Sequence, residues 1–387
     1  MTKRIAIIGA GPGGLTAGLA LRRAGFDVSI HEQAPVLREV GAGLSLSRAA
    51  MSVYRELGLR PAIEAASTVT ADMAFLHYQT GAILAGRLDP GRGSGDPDAP
   101  LAARQLHRSD LQTVLATAFR AAGGELRLGH ALVGLESGAT DNVTAVFANG
   151  ERVLADLLVG ADGLKSRVRS QLWGETPARF TGQVAYRFLV PAETGQGFLG
   201  FGRAAVFQGP GRIFNRYTIR DGRLINCVGI VRTATWLDDG WSIPADRAEL
   251  LDLYAGWHGD VTGLIEQGDS LIKWGLFDRP PLPLWSRDRV TLLGDAAHPM
   301  LPFLGLGAAM AIEDAMVLAR ALAETPEIDN ALARYENARR ARTGLVHAQS
   351  VRQGELVQGS DPDRFDAGTA PSHDPAHYAY DPVSSPF

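Results

Sequence analysis

Few features constrain a fold as sharply as the way this chain begins: an apolar strand, a glycine turn, a helix, and a second strand closing on an acid. Residues 4–8 (RIAII) form a short apolar run after one arginine, as expected of a strand covered on both faces. Gly9-Ala10-Gly11-Pro12-Gly13-Gly14 follows at once, and Leu15 to Ala24 then reads as a helix rich in Ala and Leu, ended by Gly25. Phe26 to His31 returns as a strand and delivers Glu32. Gly9 permits a tight turn, Gly11 lets a pyrophosphate come up to the backbone, and Gly14 lets helix and strand pack closely. The helix start offers free amides and the positive end of its dipole to phosphates. Glu32 stands where a ribose 2′-hydroxyl would be met. Glycine is common here, 45 of 387 residues, so the glycine pattern alone decides little. The complete strand–helix–strand with its acidic end implies dinucleotide binding.

Two segments far downstream extend this reading. Gly160-Ala161-Asp162-Gly163 leads to Ser166 and Arg169, and Gly294-Asp295-Ala296-Ala297-His298-Pro299 closes another apolar strand, Arg289 to Leu293. Three such segments in this order suit the parts of a flavin dinucleotide: an acceptor for sugar hydroxyls, a cation for phosphates, and glycines where backbone must come close. At 387 residues the chain exceeds one ordinary core, so two interleaved domains are expected. A formal net charge of −4 argues against a nucleic-acid partner. Cys227 is the single cysteine, which rules out an internal disulfide or a multi-cysteine metal site and reads as a small residue in a strand. The first strand starts too early for a signal peptide, and no apolar run is long enough to span a bilayer, so the expectation is a cytoplasmic protein with no membrane partner and no metal.

Along the chain, Asp89 to Pro100 reads as a polar Gly/Pro loop, and Gln105 to Leu111 opens a helix that Ser109 or Asp110 would cap. Leu126 to Gly134, Val143 to Phe147 and Val153 to Val159 alternate as strands, with Ala148-Asn149-Gly150 as a hairpin turn. From Phe180 to Val231 strand follows strand, separated by turn pairs such as Asp221-Gly222, which predicts an antiparallel, substrate-facing sheet. Ala308 to Ala323 reads as a long helix, and the tail after Gly359 as extended chain.

With these residues in hand, the chain resembles the single-component FAD-dependent aromatic hydroxylases, the superfamily of p-hydroxybenzoate hydroxylase. Within it the chain is most similar to the salicylate and 6-hydroxynicotinate hydroxylase branch. The resemblance runs from Arg4 to about Arg342, with weaker similarity in the tail (AHYAYDP). It implies an α/β fold of the GR2 type, a Rossmann-like FAD-binding domain (1–75, 101–175, 276–323) with an inserted, mostly antiparallel substrate sheet (76–100, 176–275). A C-terminal helical segment (324–358) and an extended tail (359–387) complete it. It further implies that Asp162, Gly163 and Arg169 lie near the pyrophosphate, that Gly294 and Asp295 meet the ribityl chain, and that Arg108 also reaches the FAD. The activity implied is NADH- or NADPH-dependent hydroxylation of a small phenolic or hydroxypyridine acid with O2, through a flavin 4a-hydroperoxide, by a monomer or homodimer.

The segment from Pro299 to Ala308 is an irregular loop feeding a helix start. Amides around Gly305, Gly307 and Ala308 would face the flavin pyrimidine ring and stabilise its anionic reduced form. Pro302 resembles the family proline whose carbonyl lies beside the substrate. Glu313 and Asp314 resemble the family's acidic pair, or are solvated helix charges. His298 reads as a structural histidine rather than a base.

Three departures from the branch bear on catalysis. Ser45 stands where relatives carry a histidine in a GAGIHI-like segment, Ile213 where they carry one in GRHxxxY, and Leu306 where they carry a glutamine. No catalytic histidine carries over, since a serine is no base near neutral pH. The candidates left in the substrate sheet are Tyr217, Arg216, Tyr186 and Arg187. Arg216 either holds a substrate carboxylate or is a surface cation, and Tyr217 either orients a substrate hydroxyl or packs as an aromatic. Two rival readings are a flavin-binding redox sensor and a halogenase. The stretch Trp236 to Pro244 invites the second, but Asp239 occupies the place of the first signature tryptophan.

Overall fold

The computed structural model describes residues 2–37, 43–69, 73–88, 101–137, 141–236, 243–365, 370–371 and 379–386. The loop Asp89–Pro100, Gly41 and Ala42, Leu237–Ser242 of the halogenase-like stretch, and the first three residues of the AHYAYDP tail, 376–378, lie outside these residues.

Buried apolar strands build a six-stranded sheet in the order Ser286–Arg287, Val290–Leu292, Leu157–Gly160, Arg4–Ile8, Asp27–Glu32, Glu125–Leu128. Every pairing in it is parallel except at the Ser286–Arg287 edge. Side chains such as Ile5, Ile7, Leu158 and Val159 are buried, as a sheet covered on both faces requires. The helices Pro12–Arg23, Arg108–Ala121 and Gly307–Glu324 supply cover, and the 30-residue helix Ile328–Val357 packs on the last of them. The expected run Leu126 to Gly134 is corrected here. It breaks at Gly129, which has a φ of +72°, and its second half, Leu132–Ser137, joins a separate antiparallel sheet with Val143–Phe147 and Arg152–Ala155.

The second large sheet has eight strands: Ile243–Pro244, Asp269–Asp278, Arg179–Pro191, Leu224–Arg232, Arg212–Ile219, Ala204–Gly209, Met73–His77 and Ile83–Leu88. It is antiparallel except where Ala204–Gly209 runs parallel to Met73–His77. Two of the expected domain limits, at residues 75 and 275, therefore fall inside strands. Period-two alternation gives the sheet two unlike faces. Leu76, Phe207, Phe214 and Cys227 pack under the helices Arg247–Leu253 and Gly259–Glu266. Phe75, Val206, Ile213 and Ile230 pack instead against Leu301 and Val357. Among the described residues no helix is long and apolar enough to cross a membrane.

Candidate active site

The glycine turn is fixed by backbone on two sides and open on a third. A Cβ built on Gly9, whose φ is +104°, would lie 2.5 Å from the Ala161 carbonyl oxygen, and one on Gly14 only 2.1 Å from that of Gly9. Gly13 has similar limits, with Leu293 and Ala311 at 2.8 and 2.9 Å. Gly11 has nothing within 4 Å of its Cβ position, so an outside group can reach the main chain there. The helix Pro12–Arg23 carries no side-chain cap at Gly11, leaving its first amides available to a ligand. Glu32 ends its strand against this turn, accepting from the Ala10 and Ala34 N–H groups at 2.8 and 2.9 Å. Each carboxylate oxygen keeps a lone pair for a sugar hydroxyl. Gln112, which the sequence did not single out, donates to the Ala10 carbonyl at 3.0 Å and ties the helix Arg108–Ala121 to the turn. The cap of that helix is His107, whose Nδ1 accepts from the Ser109 N–H, while the expected cap Asp110 pairs with Arg220 at 2.7 Å.

Asp295, on the turn that follows the strand Val290–Leu292, is exposed although protein atoms crowd its carboxylate. Burial raises its pKa, and positive charge at His298 and Arg108 opposes the shift, which places Arg108 in the same electrostatic neighbourhood. Gly163 has a φ of +75° and open space at its Cβ position. Asp162 uses both oxygens inside the protein, accepting from Ser166 Oγ at 2.6 Å and from the Arg167 and Val168 N–H groups at 2.7 and 3.1 Å. Arg169 is 3% exposed and donates to the Ala296 and Ala297 carbonyls, both at 3.3 Å. Its burial, with Arg279 nearby, brings its pKa down to about 10. Arg169 thus braces the turn at Ala296 and Ala297 from within, next to the Asp295 expected at the cofactor.

Nor are Glu313 and Asp314 solvated charges; both are fully buried. Asp314 accepts from the Gly294 N–H at 3.0 Å, His298 Nε2 at 2.6 Å and Arg339 Nε at 2.6 Å. Glu313 takes Arg342 at 2.8 and 3.0 Å and Arg339 at 2.9 Å. Burial alone would raise the Asp314 pKa, but His298 and Arg339 outweigh it and hold the group at about 2. His298 is accordingly a structural partner, its ring tilted against Trp285 with centroids 5.0 Å apart. In the following loop the Pro302 carbonyl accepts from the Gly305 N–H at 3.0 Å and keeps one lone pair. Gly305 is left-handed with a φ of +66°, and the helix Gly307–Glu324 starts without a side-chain cap. Pro302 and Gly305 are exposed, Gly307 and Ala308 half-buried. A cavity of about 400 Å³, lined by Arg279, Trp285, His298, Arg340 and His347 among others, adjoins the turn but includes neither Asp295 nor Gly305.

Strand parity sorts the substrate-sheet candidates. Tyr217 faces the strand Gly43–Leu46: its hydroxyl lies 2.6 Å from the Cβ position of Gly43, and its cross-strand partner Asn226 accepts from the Gly43 N–H at 2.9 Å. Ile213 and Asn215 share that parity, as does Arg187 through the register Asn215–Val228–Arg187. The Arg187 guanidinium lies 5.1 Å from the centroid of the Trp274 ring. Asn215 Oδ1 is buried without a hydrogen-bond partner. Arg216 and Tyr186 point the other way, which corrects both as substrate ligands. Arg216 is fully buried against the Gly202 carbonyl, and Tyr186 donates to Glu249 at 2.7 Å beneath the helix Arg247–Leu253. Neighbours on a strand cannot both face one ligand, so the parity of Tyr217 was the signal that excludes Arg216 and picks out Asn215. His77 shares the parity of Tyr217, but its Nδ1 accepts from the Gln79 and Thr80 N–H groups at a turn. Ser45 lies near Gly305, and Ile213 and Leu306 are buried. Among the described residues no group of three His, Cys, Asp or Glu is placed to hold a metal.

The residues present fit FAD: an open Gly11, two uncapped helix starts, and an exposed Asp295 on the turn after the strand Val290–Leu292. Comparison with known proteins agrees. The FAD binding domain family matches residues 2–350. The aurachin C monooxygenase/isomerase of Stigmatella aurantiaca is 37% identical over 92% of this chain and 89% of its own length. The 6-hydroxynicotinate 3-monooxygenase of Bordetella bronchiseptica is 34% identical over 93% of this chain and 94% of its own. Among solved structures, Klebsiella pneumoniae HpxO complexed with FAD and uric acid superposes with a TM-score of 0.82 at 26% identity, covering 93% of this chain and 90% of that one. The chain belongs to this FAD-binding family and is a class A flavoprotein monooxygenase, an aromatic hydroxylase that works with FAD, NAD(P)H and O2.

Proposed function

We propose that the substrate is a small aromatic ring bearing an ionised hydroxyl, a phenol or hydroxypyridine, together with a carboxylate. One observation carries this reading: on the flavin-facing side of the eight-stranded sheet, Tyr217 lies within electrostatic reach of Arg187 and beside the Asn215 amide. Burial pushes the Tyr217 pKa up to about 12, and Arg187 only partly opposes it. Tyr217 therefore stays protonated at neutral pH and donates to the substrate oxygen rather than removing its proton. Arg187 favours that oxygen as an anion and can pair with a carboxylate. Ile213, Asn215, Asn226 and Arg187, the neighbours of Tyr217 on this face, include no histidine or carboxylate to act as a base. The remaining lone pair of the Pro302 carbonyl accepts from the substrate hydroxyl before that group ionises, and buried Ile213, Leu301 and Leu306 keep water out.

In this reading the parallel-sheet half is the FAD domain and the eight-stranded sheet a GR2-type insertion. Gly9, Gly11, Pro12, Gly13, Gly14 and Glu32 take the adenosine and pyrophosphate end. Arg108 and the Asp162-Gly163 turn flank it, and Gly294, Asp295, Gly305, Gly307 and Ala308 take the ribityl and ring end. FAD held by these residues would supply the redox chemistry, taking up the hydride of NADH or NADPH and activating O2 so that one oxygen atom enters the ring and the other leaves as water. A relative named for 6-hydroxynicotinate, a hydroxypyridine acid, supports the substrate class. Relatives named as monooxygenases favour hydroxylation over a sensor or a halogenase.

The test is NAD(P)H oxidation by the holoenzyme over a panel of phenolic and hydroxypyridine acids, with products weighed for the gain of one oxygen atom. Hydroxy acids should stimulate oxidation and be hydroxylated. Equal turnover of analogues lacking the ring hydroxyl would sink the proposal.

A further inference from the structure

Residues 379–386 return from the end of the chain onto the flavin half. Ser52 Oγ donates to Asp381 at 2.9 Å, and Arg320 donates to the Pro382 and Ser385 carbonyls at 3.0 and 2.9 Å. These contacts seat the Tyr380 ring over two guanidiniums, 4.3 Å from Arg342 and 5.3 Å from Arg339. The same two arginines grip the buried pair Glu313 and Asp314, and Asp314 in turn accepts from the Gly294 N–H. An unbroken line of contacts thus joins Tyr380 to the backbone beside Asp295.

We propose that Tyr380 is a positioning residue for the turn that holds the flavin, an inference that rests on placing Asp295 at the ribityl chain. Two like charges one helical turn apart repel, and the negative face of an aromatic ring laid over both offsets that repulsion and orders them. Without the ring, Arg342 (its side chain 10% exposed) swings toward water. Arg339 is then left to neutralise Glu313 alone, which draws it from Asp314 and loosens Gly294. Nothing in this line touches substrate, so the effect reaches catalysis only through the seat of the flavin.

The test compares FAD dissociation constants and the midpoint potential of the bound flavin in Tyr380→Leu, Tyr380→Phe, Arg320→Met and Asp295→Ala. Tyr380→Leu should weaken FAD about five- to thirtyfold and shift the potential, and Arg320→Met, which frees the tail without touching the arginine pair, should do the same to a smaller degree. Tyr380→Phe, which keeps the ring face, should stay within about twofold of the wild type. Wild-type affinity and potential in Tyr380→Leu, with weakened FAD in Asp295→Ala, would overturn the positioning role alone, even if thermal stability fell. Failure of Tyr380→Phe to restore affinity would overturn it as well. Unchanged affinity in Asp295→Ala would take down the flavin placement and this proposal together.

Discussion

In the proposed reading the two halves of the molecule hold their ligands by different means. The flavin side would work with main chain: glycines shaped by close contact, bare helix starts, and one acid at each end. The substrate side would work with side chains carried on alternate residues of a sheet. Main-chain sites tolerate almost no change in shape but accept much change elsewhere. Side-chain sites keep their shape and change their chemistry at single positions.

The sharpest break between the halves should come at the glycines. Gly14→Ala puts a Cβ 2.1 Å from the Gly9 carbonyl oxygen, and overpacking of that kind costs about 1–3 kcal/mol or more. The variant should purify without flavin and melt at lower temperature. Gly11→Ala, with open space around it, should melt like the wild-type apoprotein and lose FAD affinity alone. A yellow, stable Gly14→Ala protein would contradict the rigid-turn account.

Acid should also strike the flavin side first. The Asp314 pKa is lowered from 3.8 to about 2, so the folded value lies below the unfolded one. Its stabilisation is then complete above pH ~4 and is lost as pH falls toward 2, about 2–3 kcal/mol in all. Flavin fluorescence and circular dichroism, followed together down this range, should show release of flavin preceding or accompanying loss of structure. Asp314→Asn should flatten that dependence.

On the substrate side, Tyr217→Phe removes a donor to an anionic oxygen and should lower kcat/KM about 10- to 100-fold with FAD content unchanged. In single-turnover hydroxylation the pH limb should move with the phenol pKa of each substrate. A limb near pH 7 common to all substrates would reveal an enzymic base, with His77 the first residue to replace. Smaller still, Arg187→Met should raise KM about tenfold, while Arg216→Met should change it by less than about twofold, since only the first faces the cleft. A larger KM effect at Arg216 would reverse the assignment of faces.

That contrast also explains what the sequence made legible. Gly9, Gly14 and Glu32 are demanded by local geometry within one strand–helix–strand unit, so their spacing is enough to find them. Arg216 and Tyr217 are adjacent letters with similar claims, and only the register against Asn226 and Gly43 says which one looks inward. Glu313 and Asp314 are ordinary helix charges until Arg339 and Arg342 arrive from the next helix. The bracing by Arg169 depended equally on distant partners, whereas the cap at His107 reaches only Ser109 and was legible locally.

Gly43 gives the molecule one more property. Its missing side chain leaves just the room that the Tyr217 hydroxyl fills, and Asn226 pins its N–H from the opposite sheet. A methyl group at this position would displace the phenol without altering any polar residue of the substrate face. Substrate range can therefore drift through steric changes in the flavin half, leaving the oxygen chemistry in place while the accepted ring changes.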